Sequence, residues 1–300
     1  MTDLERQVFR RKIIGERVLL MLPLNVVLAA RIRGAIDQEG VTAALDRLRS
    51  RHPLLAVRAE IVADGTGAYL GSNVPPLPVH AMARDSDNQW LLRVKEELQT
   101  PFPIETGPLV RCSFVHSESV CDVILCGHHA ICDGMSLGYL LRDLLECIAE
   151  PKKEIAASVI PPPIDSNTVP NPPSTRTFQH LVMGLINRRW GAKGIQFSES
   201  DMRRMHEKYW ENNTGIQLLA WTLDADETEQ LAERSRAEKV TVNSTIWAAF
   251  LAAQHEVQKD HLRYRQRSAL AVSTRDKLNV PVGDAALLKG VAMKYLRGAV

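Results

Sequence analysis

The residues with the most chemical potential lie together in Cys126 to Leu141, which reads CGHHAICDGMSLGYLL. His128, His129, Asp133 and Gly134 form HHxxxDG there. A neutral imidazole is the side chain best matched to accepting a proton near pH 7. If the two histidines end a strand, their side chains point to opposite faces. Only one can then meet a given cavity, and the other packs behind it. That argues against a two-histidine metal site, where both rings must converge on one ion. Asp133 could orient the imidazole or bridge to a cation elsewhere. Gly134 suits a tight turn that needs a positive φ or a close backbone approach. Ser136 is a candidate oxyanion donor, or the N-cap of the helix that follows. The bland alternative for His129 is a packed core histidine.

Elements of mixed type must position these residues. Asp122 to His128 reads as an apolar strand running into the motif. Met135 to Ile148 runs out of it with Leu137, Leu140, Leu141, Leu144, Leu145 and Ile148 at helical spacing. Upstream, Leu24–Ile32 and Leu54–Val62 read as strands, and Glu39–Ser50 as an amphipathic helix closed by Pro53. His52, just before that proline, is expected to be structural. Asn88–Gln99 reads as a helix, and Leu109–Val115 as an alternating strand with Val110, Cys112 and Phe114 on one face. Downstream, helices are expected at Phe178–Arg189, Asn243–Val257 and Asp284–Arg297, and strands at Ile216–Leu223 and Ser268–Thr274. A further helix opens at Asp224 with an Asp-x-x-Glu capping box. The fold class is therefore α/β, with mixed sheets.

Seven of the sixteen prolines fall between Pro151 and Pro173. A chain so rich in proline forms neither helix nor central strand. The expected organisation is a first lobe at 1–150, a linker at 151–175 and a second lobe at 176–300.

Composition removes several functions. The formal charge is +2, with 37 basic against 35 acidic residues, and aromatic residues make up 5% of the chain. Neither a concentrated basic surface nor stacking platforms are present, so nucleic acid is not an expected partner. The five cysteines, Cys112, Cys121, Cys126, Cys132 and Cys147, include no CxxC pair. They read as small hydrophobes of core strands in a reducing compartment rather than as zinc ligands or disulfides. Arg10-Arg11-Lys12 precedes an apolar run, but Pro23 and Asn25 interrupt that run and acidic residues flank it, unlike a secretory signal. No apolar run reaches the ~18 residues of a membrane span. A cytoplasmic location without a membrane span is expected.

The motif resembles the active-site signature of the condensation-domain and chloramphenicol-acetyltransferase-like acyltransferase superfamily. Flanking stretches carry the same resemblance: LDRLRSRHPLL at 45–55, TVNSTIWAAFLA at 241–252 and ALAVSTR at 269–275. The resemblance implies two chloramphenicol-acetyltransferase-like lobes around a channel, with the second lobe incomplete relative to the family. It implies that His129 is the catalytic histidine and that His128, Asp133 and Gly134 support the site. Arg275 would pair with Asp133 from the other lobe. The implied activity is transfer of an acyl group from a CoA or carrier-protein thioester to a small alcohol or amine. Acyl-CoA or a phosphopantetheinyl carrier protein would be cosubstrate, with no permanently bound cofactor and no metal. The alternatives are an amide-forming condensation domain of a peptide synthetase and a catalytically inert binding or scaffolding relic.

Overall fold

The computed structural model describes residues 9–14, 16–20, 22, 24–61, 67–155, 163, 199–213, 217–257, 267–273, 275, 278–279 and 291–297. They group into two compact units, Met1–Ile216 with Ser273–Val291 and Gln217–Val272 with Ala292–Val300. The expected linker lies outside the described residues apart from 151–155 and 163, as does the expected helix Phe178–Arg189.

The first unit is built on a four-stranded sheet ordered β2-β7-β6-β5, from β2 (Asn25–Arg33), β7 (Val120–His128), β6 (Val110–His116) and β5 (Val79–Ala83). β2, β7 and β6 are antiparallel neighbours, and β5 joins β6 in parallel. The register sets Asn25 opposite His128, and Arg111 opposite Cys126. A second, antiparallel sheet is ordered β1-β4-β3, from β1 (Arg10–Ile13), β4 (Gly67–Leu70) and β3 (Arg58–Ile61).

Three helices beyond the short α1 (Arg17–Leu20) cover the larger sheet. α2 (Gln38–Arg51) starts where the Asp37 side chain accepts a hydrogen bond from Gly40 N–H at 2.7 Å, a standard N-cap. Its buried stripe is Val41, Ala44, Leu45 and Leu48. It packs on α4 (Gly134–Ala149), which buries Leu137, Leu140 and Leu144. These side chains join Leu55, Phe114 and Leu125 in one core. Truncating any of them to alanine costs about 2–5 kcal/mol.

The opposite face of β6 carries Arg111 and Ser113, yet both are buried. α3 (Gln89–Gln99) lies over them. Glu97 accepts from Arg111 Nε at 2.7 Å and from the Ser113 hydroxyl at 2.8 Å. Burial alone would raise the Glu97 carboxyl, but the Arg111 charge and hydrogen bond outweigh it and hold it below the usual range.

Three expectations are corrected. Leu54–Val62 is not one strand: a 3-10 turn at Pro53–Ala56 precedes β3. Pro53 pre-sets a helical φ, and Leu54 and Leu55 turn into the core. Residues 217–224 form no strand, and Leu219 and Trp221 are 81% and 63% exposed. Alternation without a neighbouring strand does not make a sheet. Asp284–Arg297 is not a helix in its described part: Val291–Arg297 is β9, paired with β8 (Arg267–Ser273). The apolar spacing fits both periods, and pairing decides.

The remaining described helices are α5 (Glu199–Asn212) in the first unit, and α6 (Ala225–Ala237) and α7 (Val242–Val257) in the second. The capping box at the start of α6 is as expected: Asp224 Oδ1 accepts from Glu227 N–H, and Glu227 Oε2 accepts from Asp224 N–H. α6 and α7 meet through a 2.8 Å hydrogen bond between the Ser235 and Thr245 hydroxyls.

One buried carboxylate clamps α4 to the end of α2. Asp143 accepts from Arg51 Nε at 2.8 Å, His52 Nε2 at 2.9 Å and Arg142 Nη2 at 2.9 Å. Burial pushes the Asp143 carboxyl up, but the His52 and Arg142 donors and the Arg51 charge outweigh it and hold it at about 2. A carboxylate whose folded value is depressed stabilises the fold above its unfolded value of about 3.9. That contribution, about 2 kcal/mol, is lost as pH falls from there toward 2. Asp143→Asn should lower the urea midpoint at pH 7 and flatten stability below about pH 4. Denaturation series for both proteins between neutral pH and pH 2 check this, and parallel curves would refute it.

Candidate functional site

β7 ends at His128, and His129 is the first residue of the turn that follows. His128 lies on the α3 side with Cys126 and Arg111, and it is buried. His129 is partly exposed.

Between β7 and α4 the chain makes a tight turn with several independent fastenings. His129 N–H donates to Leu24 O at 2.8 Å, and Ile131 N–H donates to His128 O at 3.0 Å. The Tyr69 hydroxyl of β4 donates to Ala130 O at 3.2 Å. Burial raises that phenol far above its usual range, so it is a fixed donor and not a proton source. Cys132 folds back so tightly that a Cβ on Gly127 would lie 2.4 Å from its Sγ. Glycine is therefore required at 127. Gly134 does not fit its expected role: a Cβ there would meet nothing within 4 Å, and its φ is not positive. It is the first residue of α4, in helical backbone, and the close approach occurs seven residues earlier.

The turn fixes the chemistry of His129. Its Nδ1 lies 2.9 Å from the Cys132 carbonyl oxygen. A carbonyl only accepts, so in the neutral ring Nδ1 carries the proton and Nε2 presents its lone pair. Nε2 has no hydrogen-bond partner among the described residues. His128 has the opposite arrangement: its Nδ1 accepts from Ala130 N–H at 3.2 Å, which leaves the proton on Nε2. Burial first, then the neighbouring His129 and Arg111, push His128 down to about 4. It is neutral at pH 7.

α4 is capped by Asp133, not by Ser136. Asp133 has extended backbone, and its Oδ1 accepts from Ser136 N–H at 2.8 Å and from the Ser136 hydroxyl at 2.9 Å. The Ser136 hydroxyl proton is thereby spent on Asp133, so it does not serve as the expected oxyanion donor. Arg275 Nη2 donates to Asp133 Oδ1 at 3.0 Å and to Ser136 Oγ at 2.7 Å. Asp133 is buried and the Arg275 side chain is 10% exposed. The guanidinium also lies 5.7 Å from the centre of the Tyr139 ring. Of the two roles open to Asp133, the structure shows the pairing with a cation elsewhere, the Arg275 guanidinium, and adds the capping of α4. Both partners fall within the first unit and not on separate ones.

The five cysteines are free and buried. Burial raises the Cys132 thiol well above its usual value, so it is no candidate nucleophile beside the histidines. Among the described residues no group of three or more His, Cys, Asp or Glu side chains could hold a metal ion. No described helix is long and apolar enough to cross a membrane. Tyr69 and Gly127 are supports that motif reading did not find. No local pattern marks Tyr69, and Gly127 is recognisable only once Cys132 is seen to fold back.

The buried Asp133–Arg275 pair generates a test. Removing one partner of such a pair typically costs ~3–5 kcal/mol. Asp133→Ala should lose that together with its cap. Asp133→Asn keeps a good N-cap acceptor and should lose less. Urea denaturation of both variants, with Arg275→Ala as third member, measures the split. Equal losses for the two Asp133 variants would show that the cap adds nothing to the ion pair, and a native-like Asp133→Asn would show that charge is not what Arg275 recognises.

The Condensation domain family matches residues 24–161. Over 251 residues, 75% of this chain, the sequence is 27% identical to nonribosomal peptide synthetase kk1B from Curvularia clavata. Over 148 residues, 47% of this chain, it is 32% identical to phosphinothricin tripeptide synthetase PhsC from Streptomyces viridochromogenes. The first condensation domain of the CDA synthetase superposes with a TM-score of 0.63 at 16% identity over 97% of this chain. The chain spans 2% and 13% of the two synthetases and 69% of that solved domain. Residues 24–161 thus carry the condensation-domain pattern, and the chain shares the fold of that solved condensation domain.

Proposed function

We propose that this chain transfers an acyl or peptidyl group from a thioester to an amine, with His129 Nε2 as the general base. The observation that carries the reading is the 2.9 Å contact of His129 Nδ1 with the Cys132 carbonyl. It leaves an unpartnered lone pair on a partly exposed ring, the form a base must have before it accepts a proton. In the reaction the acceptor nitrogen attacks the thioester carbonyl and its proton moves to Nε2. The C–S bond then breaks, and the proton passes to the departing thiolate. No acyl-enzyme is needed. His129 is the catalytic residue, while His128, Asp133 and Arg275 hold the turn that presents it.

The match to peptide synthetases favours a carrier-protein thioester as donor and an amine as acceptor. An acyl-CoA donor with a small alcohol acceptor is the second reading, supported by the superfamily resemblance of the motif. Parallel assays with carrier-bound and CoA-bound acyl groups, each with amine and alcohol acceptors, decide between them through thiol release and product mass. Absence of turnover in every combination would favour an inert relic of the fold.

The two histidines should separate cleanly. His129→Ala should keep the fold and slow transfer by roughly 10²–10⁴-fold, the usual contribution of a general base. His128→Phe should instead act on stability. A histidine whose folded value is depressed stabilises the native state above its unfolded value of about 6.5. As pH falls from there toward about 4 that contribution, about 3 kcal/mol, is lost. His128→Phe should abolish this loss between pH 6.5 and 4, a window above that of Asp143. Transfer rates at neutral pH and denaturation midpoints across the window test both. Near-normal turnover by His129→Ala would sink the base assignment.

A further inference from the structure

Beside His128, and without His129 among its lining residues, the first unit has a half-open cavity of about 520 Å³. That volume falls within the roughly 300–1,000 Å³ common for small-ligand sites. Its floor consists of Leu20, Phe102, Ile104, His128 and His206, all buried. The charged residues Arg203 and Glu207 of α5 are exposed and lie at the rim.

The walls are held open by bonds made elsewhere. The Arg111 guanidinium lies 3.9 Å from the centre of the Phe102 ring, whose other neighbour is the His128 ring at 6.0 Å, edge to face. Arg111 is itself fixed by the Glu97 carboxylate and by the carbonyls of Glu97, Thr100 and Pro101. Asn25 Nδ2 donates to the carbonyls of Glu97 and Thr100 at 2.8 Å each. The segment 99–104 that forms one wall is therefore pinned and cannot collapse into the space.

The floor carries two N–H donors and no charge. His128 keeps its proton on Nε2, as derived above. His206 Nε2 accepts the Trp210 indole N–H at 3.1 Å, which leaves the His206 proton on Nδ1. Neither N–H has a hydrogen-bond partner among the described residues. Burial lowers both histidines, so the floor is uncharged at neutral pH, with Glu207 the main opposing influence on His206. An apolar wall with neutral donors suits a carbonyl oxygen on an alkyl chain. A carboxylate fits less well, because it would lose water and meet no cation at the floor.

We propose that this cavity is a second binding site, for an uncharged acyl compound: an alkyl chain ending in an amide or ester carbonyl, held apart from His129. The proposal does not depend on acyl transfer, because it concerns binding alone.

Octanamide and octanoate are the probes, titrated into the full chain near neutral pH by calorimetry, with Trp210 emission as a second readout. Octanamide should bind saturably with one site per chain, and octanoate about tenfold more weakly, given the uncompensated burial of its charge. Trp210→Phe should remove the emission change. His129→Ala should bind octanamide as the native chain does, whether or not acyl transfer is ever detected. Ile104→Phe, which fills the floor, should abolish binding. If that variant does not fold, Leu22→Trp at the exposed rim narrows the mouth and should weaken octanamide at least about tenfold. Absence of octanamide binding, equal or tighter binding of octanoate, unsaturable partitioning, or undiminished binding in the folded blocking variant would each overturn the proposal.

Discussion

Asp133 Oδ1 is the acceptor on which the geometry of the site depends. The Ser136 backbone, the Ser136 hydroxyl and the Arg275 guanidinium all donate to it. A buried carboxylate must be satisfied in this way, since leaving its charge unpaired costs several kcal/mol. Satisfying it forces α4 to begin at Gly134 and Asp133 to hold extended backbone, with φ −122° and ψ −179°. The preceding peptide then has a fixed direction, and its carbonyl is the Cys132 oxygen that receives His129 Nδ1–H. The ion pair therefore reaches the imidazole through backbone geometry. Arg275, 142 positions from Asp133 in sequence, thereby bears on the turn that holds the His129 ring.

The same logic shows which parts were legible beforehand. β7, α2 and α4 could be read because one apolar period dominates each, and packing agrees with that period. The different settings of His128, buried at the strand end, and His129, partly exposed, could be anticipated from the strand that runs into the motif. The buried polar face of β6 could not. Arg111 and Ser113 look like solvent-facing residues until Glu97 of α3 is placed over them. Arg275 was found only through resemblance, because no local pattern connects it to Asp133. The failures at 217–224 and 291–297 share a cause: short apolar patterns depend on a pairing partner, and the partner is remote in sequence.

The adjacent histidines also limit how many protons the site can handle. Two imidazolium ions one residue apart repel, and His128 is already disfavoured as a cation by burial. Its Nδ1 is occupied by the Ala130 amide, so protonation there would break the turn. Environment, not residue type, therefore distinguishes the two rings: burial holds His128 neutral with its Nδ1 tied to the turn, and His129 is partly exposed with its Nδ1 on the Cys132 carbonyl. The burial of His128, with the Phe102 ring edge-on at 6.0 Å, is thus as much a part of the site as the motif itself.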